Sequence, residues 1–410
     1  MHIANLRNPA ATFLAAVFVS LAALGAVVSF TTSSAMAQGF ETQARAAYVY
    51  DHGSGQILLE LNADEALPPA SMSKLMTLLM TFEALRDGRL LLETRVPVSE
   101  HAMSFGGSTM FLNTQDRPTI EELIRGVVVV SGNDAAVALG EALSPDGTEA
   151  GFAQLMTQRA RQLGMMNSNF VNASGWPAEG HRMSTRDLGI LAQRLIEEFP
   201  DYYTYFSESE FDFEDRSPAN RFNRNPLLGL DIGADGLKTG YTEEAGYGLT
   251  GSAIQGDRRV TFVIAGLDTA EQRAAEAERI VTWAFRQFVM RDVVQPGIEI
   301  ARAPVFLGAE ESVGLAPSEA IRMLLPALLD PEIEANLTFT SPLSAPVAAG
   351  DVVGELHVVQ GVHGFEARVP VVAMADVARG GPLVRIGAAW SNVIGLVTGG
   401  PSEAGDTPAY

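Results

Sequence analysis

Only two of the 28 basic residues in this chain of 410 residues are lysines, and both lie inside short polar motifs. Lys74 closes the motif Ser71-Met72-Ser73-Lys74, and Lys238 opens the motif Lys238-Thr239-Gly240. Arginine stays protonated at any working pH, whereas a buried lysine can lose its proton and act as a base. The distribution indicates that lysine is retained where arginine cannot replace it, which requires a fold that can shield an amine from water.

The composition excludes several classes of protein. A net charge of −21 argues against nucleic acid as a partner, because little positive charge is available to displace counterions from phosphates. The absence of cysteine excludes disulfides, cysteine zinc sites and cysteine nucleophiles. No histidine and carboxylate motif of the metalloenzyme type is present, so the sequence predicts no metal and no cofactor. The length allows two or three domains.

The N-terminal segment has the pattern of a secretory signal peptide. Arg7 precedes an apolar stretch of about 16 residues, 13–28, and the small residues Ala35-Met36-Ala37 follow. The sequence predicts that residues 1–37 are removed and that the mature chain is periplasmic. The alternative is an uncleaved membrane anchor, although a bilayer span needs about 20 residues.

Periodicity predicts an α+β domain, residues 38–290, followed by a small all-β sandwich domain, residues 291–378. A hairpin is predicted over residues 47–60, a helix from Ser71, and a sheet that is completed after Gly236, with a helical part inserted. The predicted later helices are 120–130, 134–143, 152–163, 184–198 and 271–290. Two further strands, 246–252 and 259–266, are predicted for the first sheet. The strands predicted for the second domain are 297–301, 337–340, 352–358 and 365–373.

Ser71 and Lys74 are candidates for a nucleophile and its base. A spacing of three at the start of a helix places both side chains on one face, one turn apart. Apolar neighbours predict that Lys74 is buried, and burial lowers the pKa of an amine toward that of a general base. The Ser71 N–H, at the positive end of the helix, is a candidate oxyanion donor. An N-capping serine beside a solvated lysine is the structural alternative.

Two further motifs carry groups that suit the same chemistry. Ser131-Gly132-Asn133 interrupts a helical stretch, where a hydroxyl and an amide can relay protons and bind a substrate amide, or simply form a turn. Lys238 and Thr239 suit a substrate carboxylate. Gly240 permits close approach of a substrate to the backbone, and the Tyr241 N–H is a candidate second oxyanion donor.

The three motifs occur in the order and at the spacing of the penicillin-recognising serine enzymes. The segments 68–77, 130–135, 184–188 and 235–247 resemble low-molecular-mass penicillin-binding proteins, the serine-type D-alanyl-D-alanine carboxypeptidases of peptidase family S11. The resemblance implies a penicillin-binding-protein/β-lactamase-like transpeptidase domain with an antiparallel sheet and helices. It implies peptidoglycan stem peptides as substrates and β-lactam antibiotics as covalent inhibitors.

Family roles carry over to matching positions as expectations. Ser71 is then the acylated nucleophile, Lys74 its base, and Ser131 with Asn133 the proton relay and amide contact. The expected substrate-binding residues are Asn133, Lys238, Thr239, Gly240, Tyr241, Arg224 and Arg273. For the two arginines, surface salt bridges are an equal alternative. His181 is interpreted as structural, because no nucleophile elbow of a serine–histidine–aspartate triad accompanies it.

Three other functions and a membrane contact are left open. A D,D-endopeptidase would use the same residues, a β-lactamase would need a deacylating carboxylate, and a catalytically dead scaffold would bind partners through the β domain. Residues 379–410 form a candidate amphipathic segment with an acidic tail, in which Arg379 and Arg385 are the only cations. They are a candidate for peripheral contact with the inner membrane. Its apolar face would comprise Leu383, Ile386, Trp390, Val393, Ile394 and Val397.

Overall fold

A computed structural model describes residues 40–216, 219–327, 333–360 and 365–382. The predicted signal peptide, residues 1–37, and the apolar face predicted within residues 383–397 lie outside these ranges. The described chain divides into two units, residues 40–289 with 324–327, and residues 290–323 with 333–360 and 365–382. No helix of the described residues is long and apolar enough to cross a bilayer.

The first unit is built on a five-stranded antiparallel sheet that draws strands from both ends of its sequence. Its strands are β1 (Ala46–Asp51), β2 (Gln56–Leu61), β3 (Ala234–Thr242), β4 (Gly246–Gln255) and β5 (Arg258–Leu267). The order is β2-β1-β5-β4-β3, so the N-terminal hairpin pairs with the late strand β5. Val49, for example, lies opposite both Leu59 and Phe262. The predicted α+β architecture is confirmed, and β3, with its Lys238-Thr239-Gly240 motif, is the edge strand.

Helices inserted between β2 and β3, together with a last helix after β5, complete the first unit. The α-helices are α1 (Lys74–Arg86), α2 (Glu100–Met103), α3 (Ile120–Arg125), α4 (Asn133–Leu143), α5 (Glu149–Gln162), α6 (Thr185–Glu198), α7 (Pro200–Tyr203) and α8 (Ala270–Gln287). Short 3₁₀ turns occur at Ala70–Ser73 and Thr204–Ser207, and Gly126–Val130 forms a π-helical turn. A capping box starts α3, with Thr119 and Glu122 each accepting the other's backbone N–H.

Helix α1 lies at the centre of the core. Leu75, Leu78 and Phe82 are fully buried, and Phe82 stacks on Tyr202 with a centroid distance of 5.0 Å. Burying each such side chain stabilises the fold by about 1.5–3 kcal/mol. An apolar surface on nearly every side explains why the helix is central rather than amphipathic. The residues at its N-terminus are therefore held by a rigid, close-packed support.

The second unit is all β, as predicted. Strands β6 (Phe288–Val294) and β9 (Ile321–Pro326) form a two-stranded sheet. The other strands are β7 (Ala301–Phe306), β8 (Ser312–Pro317), β10 (Glu334–Phe339), β11 (Leu343–Ser344), β12 (Val352–Gln360) and β13 (Phe365–Ala373). They form a six-stranded sheet in the order β10-β12-β13-β8-β7-β11.

Two sequence predictions at the junction were wrong in detail. The helix predicted over residues 271–290 ends at Gln287, because the chain becomes extended at Phe288 and pairs as β6. The strand predicted over residues 297–301 starts only at Ala301 and runs to Phe306. In both cases strand pairing, which is a long-range contact, overrides the local pattern.

Candidate active site

Ser71 lies in the 3₁₀ turn that leads into α1. The turn begins after Pro68-Pro69, and the Met72 N–H donates to the carbonyl of Pro69 at 3.2 Å. Ser71 is only partly buried, whereas Met72 and Ser73, which separate it from Lys74, are buried. The predicted helix start is thus a tighter turn, but the spacing of three still places Lys74 beneath Ser71.

Lys74 has no exposed surface and makes three short contacts. Its Nζ donates to Ser71 Oγ at 2.9 Å, to Asn133 Oδ1 at 2.7 Å and to the carbonyl oxygen of Ser174 at 2.6 Å. Burial, reinforced by the positive charge of Arg224 and opposed by Asp134, lowers the pKa of Lys74 to about 7. An amine with this pKa is substantially neutral at neutral pH, as a general base must be.

Asn133 is oriented by the loop that faces it. Its backbone N–H donates to the Ser108 carbonyl at 2.7 Å, and its Nδ2 donates to the Gly106 carbonyl at 2.8 Å. The adjacent Asp134 carboxylate accepts the backbone N–H groups of Met110 and Leu112, each at 3.0 Å. These bonds fix which end of the Asn133 amide faces Lys74, so that Oδ1 accepts from the amine.

Ser131 lies between the π-helical turn and α4. Its backbone is left-handed, with φ 61° and ψ 35°, and the next N–H, that of Gly132, donates to the Gly126 carbonyl at 2.9 Å. A non-glycine residue in this conformation is uncommon and is often found at functional sites. The predicted helix break is therefore a defined turn that directs Ser131 to the wall of the cleft that also contains Ser71.

Four basic side chains, those of Lys74, Lys238, Arg224 and Arg273, lie in or beside this cleft. Lys238 is buried, and burial followed by the charges of Arg224, Lys74 and Arg273 lowers the pKa of Lys238 well below its ordinary value. Arg224 donates to the Val130 carbonyl at 2.7 Å, directly beside the Ser131 turn. Within the described part of the chain none of the four forms a salt bridge. Such uncompensated positive charge provides a binding site for an anion.

Arg273, which lies on α8, lines the same cleft. It is 9% exposed and its guanidinium lies 5.8 Å from the centre of the Tyr247 ring, which stacks on Tyr241 at 4.3 Å. Its Nε is buried without a hydrogen-bond partner among the described residues. Both predicted arginines therefore face the cleft, and the surface salt-bridge alternative does not describe them.

Gly240 packs against the turn that carries Ser71. A Cβ at this position would lie 2.9 Å from the Pro69 oxygen and 3.2 Å from both the Ala70 Cβ and the Met72 Cγ. The missing side chain thus lets edge strand β3 approach the turn that carries Ser71. The close approach of a substrate to Gly240 stays a prediction. Thr239, which lines the cleft, is held beside that turn in consequence.

Replacing Gly240 by alanine should displace the Ser71 turn from β3. We expect Gly240→Ala to lower the stability of the fold by about 1–3 kcal/mol, because the added methyl overpacks a backbone contact. Thermal unfolding followed by circular dichroism measures the loss. Gly229→Ala provides the control, because Gly229 has no positive φ and no atom lies within 4 Å of an added Cβ there. An equal or greater loss of stability in Gly229→Ala would show that packing at Gly240 is not the cause.

Two family models match this chain, one for each unit. Residues 31–269 match the D-alanyl-D-alanine carboxypeptidase family, and residues 288–379 match the C-terminal domain of penicillin-binding protein 5. The first match covers more than half of the chain. This chain belongs to the D-alanyl-D-alanine carboxypeptidase family. The resemblance stated from the motifs is confirmed.

Relatives and solved structures support the same assignment. The D-alanyl-D-alanine carboxypeptidase DacC of Escherichia coli is 36% identical over 84% of this chain and 86% of its own length. Penicillin-binding protein 5 of Haemophilus influenzae superposes with a TM-score of 0.66 at 32% identity, covering 83% of this chain and 98% of that one. Penicillin-binding protein D2 of Listeria monocytogenes, solved in an ampicillin-bound form, gives a TM-score of 0.54 at 34% identity and covers 60% and 98%.

The carboxypeptidase site also contains groups that the sequence interpretation missed. These are the carbonyls of Ser174, Gly106 and Ser108, and the cleft-lining side chain of Trp176, which is 44% exposed. Backbone carbonyls leave no residue-type signal. The signal for Ser174 was the turn-forming segment Asn172-Ala173-Ser174-Gly175, because asparagine and glycine favour turns.

His181 contacts the serine next to the nucleophile's lysine, not the nucleophile. Its Nε2 lies 2.8 Å from Ser73 Oγ, and the Val171 N–H donates to its Nδ1 at 3.2 Å. Burial, followed by the charge of Lys74, lowers the pKa of His181 to about 4. A neutral ring that accepts at Nδ1 and donates at Nε2 joins two segments of the fold, which agrees with the structural interpretation.

The cleft has room for an extended peptide. It encloses about 1210 Å³, and Ser71 and Trp176 are among the residues that line it. Its lining also includes the exposed residues Glu179, Glu243 and Glu244, and Arg182 pairs with Glu244 at 2.9 Å. The cleft therefore carries charges of both signs, and of its three arginines only Arg182 has a carboxylate partner among the described residues.

Proposed function

We propose that this protein is a periplasmic serine carboxypeptidase that removes the terminal D-alanine from peptidoglycan stem pentapeptides through an acyl-enzyme on Ser71. The observation that carries the proposal is the contact of 2.9 Å between Ser71 Oγ and the buried amine of Lys74, whose pKa is about 7. A hydroxyl is a poor nucleophile until a neighbouring base takes its proton, and this amine is placed to do so.

The neutral amine of Lys74 has one lone pair and two N–H groups. Asn133 Oδ1 and the Ser174 carbonyl can only accept hydrogen bonds, and they lie 2.7 and 2.6 Å from Nζ. When they occupy both N–H groups, the lone pair points at the third neighbour, Ser71 Oγ. The site therefore orients the base as well as lowering its pKa.

In the acylation step Ser71 Oγ bonds to the penultimate carbonyl carbon while its proton passes to Lys74 Nζ. The developing oxyanion is stabilised by the backbone N–H groups of Ser71 and Tyr241. The bond from carbon to the leaving nitrogen then breaks, and that nitrogen receives the proton, relayed through Ser131. Free D-alanine leaves. Water next attacks the ester carbon and gives one proton to Lys74. The bond from that carbon to Ser71 Oγ then breaks, Lys74 returns the proton to Oγ, and the shortened stem peptide leaves with a new C-terminal carboxyl group.

The cations at the end of the cleft explain why cleavage would occur next to a free C-terminus. Lys238, Arg224 and Arg273 lie together there, and Thr239 offers a hydroxyl beside them. The carboxylate of the terminal D-alanine would supply the missing negative charge. β-Lactams carry a comparable carboxylate, so they should enter the same position and acylate Ser71.

The family match supports the carboxypeptidase over the endopeptidase and β-lactamase alternatives. Asp134, the buried carboxylate nearest to the base, accepts backbone N–H groups of Met110, Leu112 and Ala135. It is therefore engaged in holding the loop over residues 106–112 rather than oriented toward a deacylating water.

The remaining assignments complete the proposal. Residues 1–37 would direct export and be removed, residues 38–290 would form the catalytic domain, and residues 291–378 would form the β domain. Residues 379–410 would contact the inner membrane at its periphery. The support for the first three assignments is the sequence pattern of the N-terminus and the two family matches, at residues 31–269 and 288–379. The support for the membrane contact is the apolar pattern predicted within residues 383–397.

The proposed reaction can be tested with defined muropeptides. The purified protein is incubated with a monomer that carries a pentapeptide stem and with a cross-linked dimer, and the products are weighed by mass spectrometry. We expect loss of one alanine from the pentapeptide, and no loss after pretreatment of the protein with ampicillin. Cleavage of the dimer alone would identify an endopeptidase. Continuous turnover of ampicillin would identify a β-lactamase.

The pKa of Lys74 sets the expected pH dependence. Because the neutral amine is the active form and its pKa is about 7, kcat/KM should fall as the pH drops below 7. A single group of this pKa is about 1% neutral at pH 5, so kcat/KM there should be about a hundredfold below its plateau. Initial rates on the pentapeptide between pH 5 and 9 measure the profile. A profile that is flat from pH 5 to 7 would contradict a lysine base with this pKa.

A further inference from the structure

The loop that follows α5 presents one carbonyl to the amine of Lys74. It makes two more contacts, one with α1 and one with the 3₁₀ turn that precedes α1. The Ser174 carbonyl accepts from Lys74 Nζ at 2.6 Å, the shortest of the three contacts of that amine. One residue earlier, the Ala173 carbonyl accepts from Thr77 Oγ1 at 2.7 Å, one turn further along α1. One residue later, Gly175 packs against the Ala70 carbonyl, where a Cβ would lie at 1.9 Å.

Asn172 shapes this loop. Its side-chain Oδ1 accepts the backbone N–H groups of Ser174 at 3.3 Å, Gly175 at 2.8 Å and Trp176 at 3.1 Å. Its Nδ2 donates to the Trp176 carbonyl at 2.9 Å. One buried amide thus satisfies four backbone groups of a turn in which Gly175 has φ +76°. Without the side chain, the N–H groups of the buried residues Ser174 and Gly175 would lie in the protein interior with unmet hydrogen-bonding capacity.

From these contacts we infer that Asn172 is a positioning residue for the catalytic lysine. It folds the turn so that the Ser174 carbonyl occupies one N–H of Lys74, which leaves the lone pair of the amine directed at Ser71. Asn172 itself touches neither Lys74 nor substrate in this arrangement. The inference rests on the proposed role of Lys74 as the base, and it assigns to the loop the second of the two contacts, beside that of Asn133, that orient the amine.

The loop is also held by hydrogen bonds of the Ala173 backbone, and these provide a control for a simple loss of stability. The Ala173 N–H donates to Glu149 Oε1 at 2.9 Å, and the Ala173 carbonyl accepts from Thr77. These bonds join the loop to α5 and α1 but do not shape the turn at Ser174. Thr77→Val removes one of them while nearly preserving the volume of the side chain. It is therefore a matched control that loosens the same loop without removing the hydrogen bonds of Asn172.

The experiment measures acylation by ampicillin in the wild type, Asn172→Ala, Asn172→Asp and Thr77→Val. Stopped-flow quenching of protein fluorescence gives the noncovalent dissociation constant and the acylation rate constant separately. We expect Asn172→Ala to lower the acylation rate constant by about 10²-fold, the scale of a misplaced catalytic group, with the dissociation constant within about threefold. Asn172→Asp retains the three accepted N–H bonds and should lose less.

Thermal unfolding of the same variants completes the test. Thr77→Val should also lose thermal stability but should acylate within a few-fold of the wild type, when each variant is assayed equally far below its own thermal midpoint. The inference would be overturned if Asn172→Ala were acylated at the wild-type rate. It would also be overturned if, at equal stability, the acylation rate constant fell no further in Asn172→Ala than in Thr77→Val. A wild-type protein that is neither acylated nor able to release D-alanine would instead refute the proposed function.

Discussion

Replacing Ser71 by alanine should abolish D-alanine release and covalent capture of β-lactams together. The hydroxyl that would form the acyl bond lies 2.9 Å from the amine that would activate it, and both lie in one cleft. We expect kcat/KM on the pentapeptide to fall by about 10⁴-fold or more, as when the nucleophile of a serine hydrolase is removed. Intact-protein mass spectrometry after incubation with ampicillin should show an adduct on the wild type and none on Ser71→Ala.

The fold should survive this substitution. Ser71 is only partly buried, and Lys74 keeps Asn133 Oδ1 and the Ser174 carbonyl as acceptors. A net hydrogen bond contributes about 0.5–1.5 kcal/mol, so the thermal midpoint should move by only a few degrees. Ser73→Ala is a matched control two positions away, since the Ser73 hydroxyl contacts His181 and not the amine. An ampicillin adduct on Ser71→Ala would place the nucleophile elsewhere.

Replacing Lys74 by arginine should nearly abolish activity although the positive charge is kept. A guanidinium cannot give up its proton at working pH, so it cannot accept the proton of Ser71. General-base catalysis contributes about 10²–10⁴-fold, and we expect a loss of kcat/KM toward the upper end. The loss in the acylation step is measured as the acylation rate constant with ampicillin. An active Lys74→Arg enzyme would contradict the assignment of Lys74 as the base.

Lys238→Arg is the informative comparison, because it makes the same exchange at the only other lysine of the chain. The role proposed there needs a cation and no proton transfer. The Lys238→Arg substitution should therefore change mainly KM, while the Lys74→Arg substitution should change mainly kcat. A larger loss of kcat at Lys238 than at Lys74 would reverse the two roles.

The charge distribution of the protein gives these tests a common background. The chain carries −21 overall, yet Lys74, Lys238, Arg224 and Arg273 gather in one cleft. Mutual repulsion and burial lower the pKa of both lysines, and a bound carboxylate would relieve part of that repulsion. Binding of the substrate carboxylate would thus raise the pKa of Lys74, so the acid limb of kcat should lie at higher pH than that of kcat/KM.

Local sequence patterns were sufficient for much of the fold. The predicted helices over residues 134–143 and 184–198 and the predicted strand over residues 365–373 depend on neighbours within a few residues, and the structure has each of them. The end of α8 depends on pairing between β6 and β9, which are separated by almost thirty residues along the chain. No local pattern contains that partner, so the predicted helix ran three residues too far.

The chemistry of the site divides in the same way. The residue types and spacing of the three motifs determined which side chains could act as nucleophile, base and carboxylate ligand. A hydroxyl, an amine that can lose its proton and a positive charge are chemical properties of the residues themselves. Tertiary structure alone decided that Arg224 and Arg273 reach the cleft, and that a carbonyl at Ser174 completes the surroundings of Lys74. A backbone carbonyl is the same in every residue, and the pKa of an amine is set by the water and charge that the folded chain leaves around it.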